Sequence, residues 1–116
     1  MDKRYIRSLP IFGEAGQLKL NKAHVAVFGL GGVGSYAVES LVRAGIGTLT
    51  LVDNDRYSVS NLNRQLYATE STVGELKTEV AKKRALEINS QIIVHTINEF
   101  ILDGKDNNID YSKFDY

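Results

Sequence analysis

The sequence predicts an α/β fold, a parallel sheet with helices on both faces. Three observations predict it. Short apolar runs alternate with stretches of helical periodicity. Glycines spaced G-x-G-x-x-G, at Gly29, Gly31 and Gly34, stand between the first apolar run and the first strong helix. An acid, Asp53, closes the second apolar run.

Taken in order, residues Glu14 to Leu20 predict a short helix that covers one edge of the fold. His24-Val25-Ala26-Val27-Phe28 is an apolar run ending in glycine, the pattern of a buried parallel strand. From Val33 to Ala44 the apolar positions Val33, Ala37, Val38, Leu41 and Val42 recur at helical spacing, and Gly45 and Gly47 end the helix. Thr48-Leu49-Thr50-Leu51-Val52 is β-branched and apolar, hence a second strand. The stretch from Asn54 to Gly74 is polar and irregular, with room for one or two short helical turns. A loop that long in a compact domain is usually functional. A second helix is predicted from Leu76 to Ile88, with Leu76, Val80, Ala81, Ala85 and Ile88 on one face and Lys82, Lys83 and Glu87 on the other. Gln91 to Ile97 reads as a third strand, followed by the polar segment Asp103 to Asp110 and the ending Phe114-Asp115-Tyr116. A sheet of about three strands leaves exposed edges, and an aromatic ending of this kind commonly precedes another core strand. Residues 1–116 are therefore expected to be the amino-terminal, truncated part of a nucleotide-binding domain.

Composition narrows the function classes. The chain has 116 residues, 43% hydrophobic and 24% charged, which suits one globular domain. Lys plus Arg and Asp plus Glu are 14 each, so any nucleic-acid surface must be local rather than a property of the whole chain. The absence of cysteine removes disulfides, thiolate zinc and a cysteine nucleophile within these residues and fits a reducing compartment. The charged start Met1-Asp2-Lys3-Arg4-Tyr5 has no apolar run behind it, so no signal peptide is predicted. No apolar stretch nears the roughly 20 residues of a membrane span. A cytoplasmic protein with no membrane partner is the expectation.

The glycines each have a physical task. Gly29 permits a tight turn, Gly31 lets the backbone approach a phosphate, and Gly34 allows close helix–strand packing. The N–H groups at the start of the helix favour an anion. Asp53 is placed to accept hydrogen bonds from ribose hydroxyls. On these features alone a nicotinamide dinucleotide and an oxidoreductase would follow. Asp55, Asn61, Asn63, Arg64 and Gln65 point elsewhere, because an arginine with amides around it serves a triphosphate better than a dinucleotide. Lys77 adds a cation at a helix start, against the dipole, and a phosphate partner would explain the placement. Both readings stay open on the residues alone, as does a non-catalytic domain that keeps the fold and dimerises.

Several strings together resemble the ThiF/MoeB/HesA family of adenylating enzymes, the bacterial relatives of ubiquitin-activating enzymes. They are Gly29-Leu30-Gly31-Gly32-Val33-Gly34-Ser35, Leu51-Val52-Asp53-Asn54-Asp55, Ser60-Asn61-Leu62-Asn63-Arg64-Gln65 and Thr72-Val73-Gly74-Glu75-Leu76-Lys77. Arg4-Tyr5-Ile6-Arg7 and Phe12-Gly13-Glu14-Ala15-Gly16-Gln17 fit the family's opening pattern. The resemblance implies a Rossmann-like fold and ATP as cofactor. Gly29, Gly31, Gly32 and Gly34 would lie against the nucleotide and Asp53 on the ribose, with Asp55 beside it. Asn61, Asn63, Arg64 and Lys77 would face the phosphates, supported by Gln65. The catalytic set would be Arg64, Lys77 and Arg7, with Arg7 inserted into the site of a neighbouring subunit of a homodimer. The implied Mg²⁺ would take its ligand from downstream of Tyr116, with no metal ligand here, so the 116 residues alone are expected to be inactive. Ser8 departs from the family, many of whose members have Gln there.

Within the family, Gly32-Val33-Gly34-Ser35-Tyr36 and Asn61-Leu62-Asn63-Arg64-Gln65 look most like the tRNA threonylcarbamoyladenosine dehydratases, which makes tRNA the expected partner. The alternative is an adenylyltransferase for a small ubiquitin-like sulfur carrier, whose members more often show Gly-Gly-Leu-Gly. Other residues read as structural. Tyr5, Tyr36, Tyr57 and Tyr67 suit core edges with a wet hydroxyl, and His24 and His95 suit packed or surface positions. Lys82-Lys83-Arg84 reads as a solvated helix face and Glu39 as exposed.

Overall fold

A computed structural model describes residues 9–99 and 111–116. Arg4 to Ser8, with Arg7 among them, and the polar segment up to Asp110 lie outside the described residues. Helix α1 spans Leu9–Lys22 but breaks at Gly13, where φ 69° and ψ 168° are non-helical. The continuous helix therefore starts after Gly13, as the predicted segment does, and runs two residues past Leu20. Strand β1 is His24–Phe28, helix α2 Gly32–Ala44, strand β2 Thr48–Val52, helix α3 Lys77–Ile88 and strand β3 Ile93–Ile97. The first two strands match the predicted runs residue for residue. The third starts at Ile93 because Ile92 N–H and Gln91 N–H turn back onto Asn89.

The strands form one parallel sheet in the order β1-β2-β3, His24 pairing with Thr48 and Thr48 with Ile93. Val25, Val27, Leu49, Leu51 and Val94 point to one face, where Val38 and Val42 of α2 and Ala81 and Ala85 of α3 close the core. Burying such side chains stabilises by about 1.5–3 kcal/mol each for the larger ones. Among the described residues the opposite face is more open: Phe28 is 44% and Ile93 54% exposed. No described helix is long and apolar enough to cross a membrane.

Two helix ends follow sequence chemistry. Gly45 takes the left-handed conformation, φ 96°, and the bonds Gly45 N–H to Val42 O and Ile46 N–H to Leu41 O close α2. Along α2 the buried positions are Ser35, Val38 and Val42. Val33 is a correction to the predicted apolar face: it is 87% exposed. Two residues along a helix turn about 200°, so the inward place in the first turn goes to Ser35, whose hydroxyl donates to Leu30 O at 3.0 Å.

α1 sits at the amino-terminal end of the sheet rather than along an edge. Gly47 N–H and Thr48 N–H donate to Leu20 O and Ala23 O, and buried Gln17 donates from Nε2 to Ala44 O. At the same end, Asp115 N–H donates to His24 O and Ala26 N–H to Tyr116 O, so the aromatic ending runs along the outer edge of β1 in the same direction. His24 is packed here: its Nε2 is 2.7 Å from Thr50 Oγ1 and Phe114 meets its ring edge-on. The carboxyl-terminal ends of the strands are left to the glycine loop and to the long connection from Asn54 to Gly74.

Candidate nucleotide-binding site

The glycine loop leaves β1 in a turn that only glycine makes easily. Gly29 has φ 86°, and its N–H donates to Val52 O at the end of β2. Gly34 has no space for a side chain, because a Cβ there would stand 1.8 Å from Gly29 O. Gly31 precedes α2 as its N-cap and has no side-chain cap. The N–H groups of that first turn are thus not covered by a side chain of their own.

Asp53 fastens this loop to the next one. One carboxylate oxygen accepts from Leu30 N–H at 2.7 Å, the other from Asp55 N–H at 2.8 Å. Asp55 O in turn accepts from Lys77 N–H at 3.0 Å. A chain of three hydrogen bonds therefore links the glycine loop, the end of β2 and the start of α3. Beside it lies a pocket of about 340 Å³ lined by Phe28, Gly29, Asp53, Asn54, Asp55 and Glu99.

Lys77 is 6% exposed, and no described carboxylate pairs with its ammonium. Its Nζ lies 5.5 Å from the centre of the Tyr57 ring, a cation–π contact. Tyr57 is 2% exposed, and its hydroxyl faces Ser35 without a hydrogen bond of normal geometry. Burial pushes its phenol above the usual tyrosine range. The neck of the long connection holds Tyr57 in place through Tyr57 N–H to Glu75 O and Gly74 N–H to Tyr57 O. A Tyr57 reading as a wet core edge is therefore corrected: it is the floor under Lys77. Sequence patterning carries no sign of this, since the contact is made across a loop.

On the other side of the glycine loop, Gln65 is 8% exposed, with Nε2 4.0 Å from where a Gly31 Cβ would stand. Its Oε1 is buried with no hydrogen-bond partner among the described residues. Asn61 is also 8% exposed, and its Oδ1 accepts from Ser58 N–H, which caps the short turn Val59–Asn61. Arg64 and Asn63 are exposed and pair with each other, Arg64 Nη1 donating to Asn63 Oδ1 and Ser60 O. Among the described residues no hydrogen bond joins Arg64 to the glycine loop. The structure thus brings together Gly29, Gly31, Gly34, Asp53, Asp55, Gln65 and Lys77 and leaves Asn63 and Arg64 at the rim.

The ThiF family's sequence profile matches residues 3–116. The chain belongs to the ThiF family. Among relatives, tRNA threonylcarbamoyladenosine dehydratase of Haemophilus influenzae is 47% identical over 107 residues, 86% of this chain and 40% of its own. The adenylyltransferase and sulfurtransferase MOCS3 of Drosophila willistoni is 41% identical, with 91% of this chain and 24% of its own covered. Among solved structures, the Escherichia coli tRNA N6-threonylcarbamoyladenosine dehydratase in complex with ATP matches with TM-score 0.83 and 39% identity, over 85% of this chain and 41% of that one. The chain spans about 40% of the length of the dehydratase relatives it matches. The Rossmann-like fold expected from the glycines is therefore the fold of this ThiF chain.

Two surface expectations are overturned. Glu39 is not exposed: its side chain is 17% accessible and its carboxylate accepts from Arg84, Arg43 and Tyr67. The Arg84 guanidinium, followed by Tyr67 and Arg43, holds the Glu39 carboxyl down at about 2 against burial, which raises it. Arg84 reaches Glu39 across the helix–helix contact while its own side chain stays 42% accessible, so the Lys82-Lys83-Arg84 face remains a solvated one. Tyr67, 7% exposed, gives its hydroxyl to Glu39 at 2.7 Å instead of to water. The reason is three-dimensional: α2 and α3 pack side by side, and a hydrophilic residue on each meets the other there.

Proposed function

We propose that the protein binds ATP at the glycine loop and uses it to activate a carboxylate as an acyl-adenylate. The observation that carries the reading is the hydrogen-bonded chain Leu30–Asp53–Asp55–Lys77, which ties together the glycine loop, an acid for ribose and the start of α3 with its buried cation, beside which no described carboxylate stands. Gln65, whose Nε2 packs behind Gly31 and whose buried Oε1 has no partner among the described residues, supports a polar ligand at this point. An NAD site has use for Asp53 but none for the buried Lys77.

In this reading the N–H groups of the first turn of α2 and the side chains of Lys77, Arg64 and Asn61 hold the phosphates, and Asp53 orients the ribose. Gln65 backs the loop, and Gly32, where a Cβ would meet nothing within 4 Å, lets the ligand close on the backbone. The substrate carboxylate bonds to the α-phosphorus while the bond from that phosphorus to the pyrophosphate oxygen breaks. No protein nucleophile is needed. The residues act by position and by neutralising charge on the departing pyrophosphate. Mg²⁺ bound with the nucleotide would take a carboxylate ligand from the chain downstream of Tyr116 and neutralise phosphate charge. Arg7 completes the nucleotide site from a second copy in the proposed homodimer.

The acceptor we favour is the threonyl carboxylate of a threonylcarbamoyl-modified tRNA adenosine, which cyclises with net loss of water. The likeness to the dehydratases from three bacteria at 39–47% identity supports it. Likeness to the MOCS3 relative at 41% supports the second reading, a sulfur-carrier carboxyl terminus. ATP–pyrophosphate exchange by the full-length protein, run with each acceptor, tests the proposal. Arg64→Ala is expected to lower exchange about a hundredfold, the usual loss of one charge-stabilising donor. Unchanged exchange would remove Arg64 from the mechanism.

A further inference from the structure

The glycine loop and the phosphate-side loop are separate pieces of chain, and something must fix one against the other. Gln65, which packs behind Gly31, opens a turn closed by Ala68 N–H to Gln65 O at 3.0 Å. Tyr67 lies inside that turn. Its carbonyl accepts from Thr72 Oγ1 at 2.8 Å, and its hydroxyl reaches α2 to donate to Glu39 Oε2 at 2.7 Å. Glu39 is itself pinned from two sides, by Arg43 one turn along α2 and by Arg84 of α3 at 2.8 Å. α2 carries the glycine loop at its start, and α3 carries Lys77 at its start. One carboxylate therefore receives a donor from the segment next to Gln65 and a donor from the helix that bears Lys77.

From this we infer that Tyr67 and Glu39 are positioning residues for the nucleotide, setting the Asn61–Gln65 loop at its distance from the glycine loop through a single hydrogen bond. The inference rests on the ATP reading above. A phenylalanine would fill the same buried space as Tyr67, so packing alone does not call for the hydroxyl. An O–H donating to a carboxylate is short and directional, which suits a bond that fixes a loop rather than merely filling it. Among the described residues the Glu39 carboxylate bonds Tyr67, Arg43 and Arg84 and no group of the glycine loop or of the Asn61–Gln65 stretch, so its effect on ATP passes through Tyr67 and Arg84.

The test is steady-state pyrophosphate exchange by full-length wild-type, Tyr67→Phe and Glu39→Gln proteins, with melting temperatures alongside. Tyr67→Phe is expected to raise the KM for ATP about tenfold, the equivalent of one hydrogen bond, with a smaller change in kcat. Glu39→Gln keeps an acceptor for Tyr67 and is expected to leave KM much closer to the wild-type value. Wild-type KM in Tyr67→Phe, with wild-type protein active, overturns the inference and leaves the ATP reading standing. A lowered melting temperature with unchanged KM in the folded protein makes the bond purely structural and overturns it too. Wild-type protein that neither binds ATP nor exchanges pyrophosphate overturns the ATP reading, and this inference with it.

Discussion

Gly34 and Gly32 stand two positions apart in one loop and do different work. A methyl at Gly34 would collide with Gly29 O, whereas a methyl at Gly32 meets nothing within 4 Å. Gly34→Ala is therefore expected to cost about 1–3 kcal/mol of stability by overpacking. Gly32→Ala, in the first turn of α2, should fold at least as well as wild type, since alanine is the better helix residue, and lose affinity for ATP only. Urea unfolding and nucleotide titration of both variants check this. A Gly32→Ala protein with normal ATP affinity would separate Gly32 from the ligand. The tasks assigned to Gly29 and Gly34 are legible in the sequence because a glycine between a strand and a helix has few physical reasons to be there. The floor under Lys77 is not, because Tyr57 reaches it only after the connection folds back through Glu75 and Gly74.

Elements with a local cause are legible in the sequence, and those with a distant cause are not. β1 and β2 are short apolar runs with glycine beside them, so their limits are set within the run itself. The inward face of α2 depends on which residue Leu30 O bonds, and this puts Ser35 inside and Val33 out. The clamp between α2 and α3 has no periodic signature at all: Glu39 and Arg84 are 45 residues apart. That clamp gives stability a pH dependence. The carboxyl of Glu39 falls from 4.5 to about 2 on folding, chiefly through Arg84. A depressed carboxyl contributes stability that is complete above the unfolded value and is lost as pH falls through the folded one. Denaturation midpoints should therefore decline between pH 4.5 and about 2, and Glu39→Gln should remove this part of the decline. An identical pH profile in the variant would show that Glu39 does not carry it.

For the whole molecule, the sheet order and the free end of the strands decide what the fold can do. Three parallel strands end at one rim, where the glycine loop, Asp53 and the start of α3 meet. The aromatic ending pairs along the outer edge of β1, where Tyr116 lines a pocket with Phe28, Gly29, Gly31 and Gly34. Membership of the ThiF family agrees with both the fold and the placement of the loop motifs. What neither the fold nor the glycines distinguish is the class of nucleotide, because a Rossmann-like loop receives phosphate from either ATP or NAD. The distinction lies in Lys77, buried without a described acid beside it. Calorimetric titration of the full-length protein with ATP and, separately, with NAD measures this directly. Saturable heat with ATP and none with NAD is the predicted result. Saturable binding of NAD with none of ATP would contradict it.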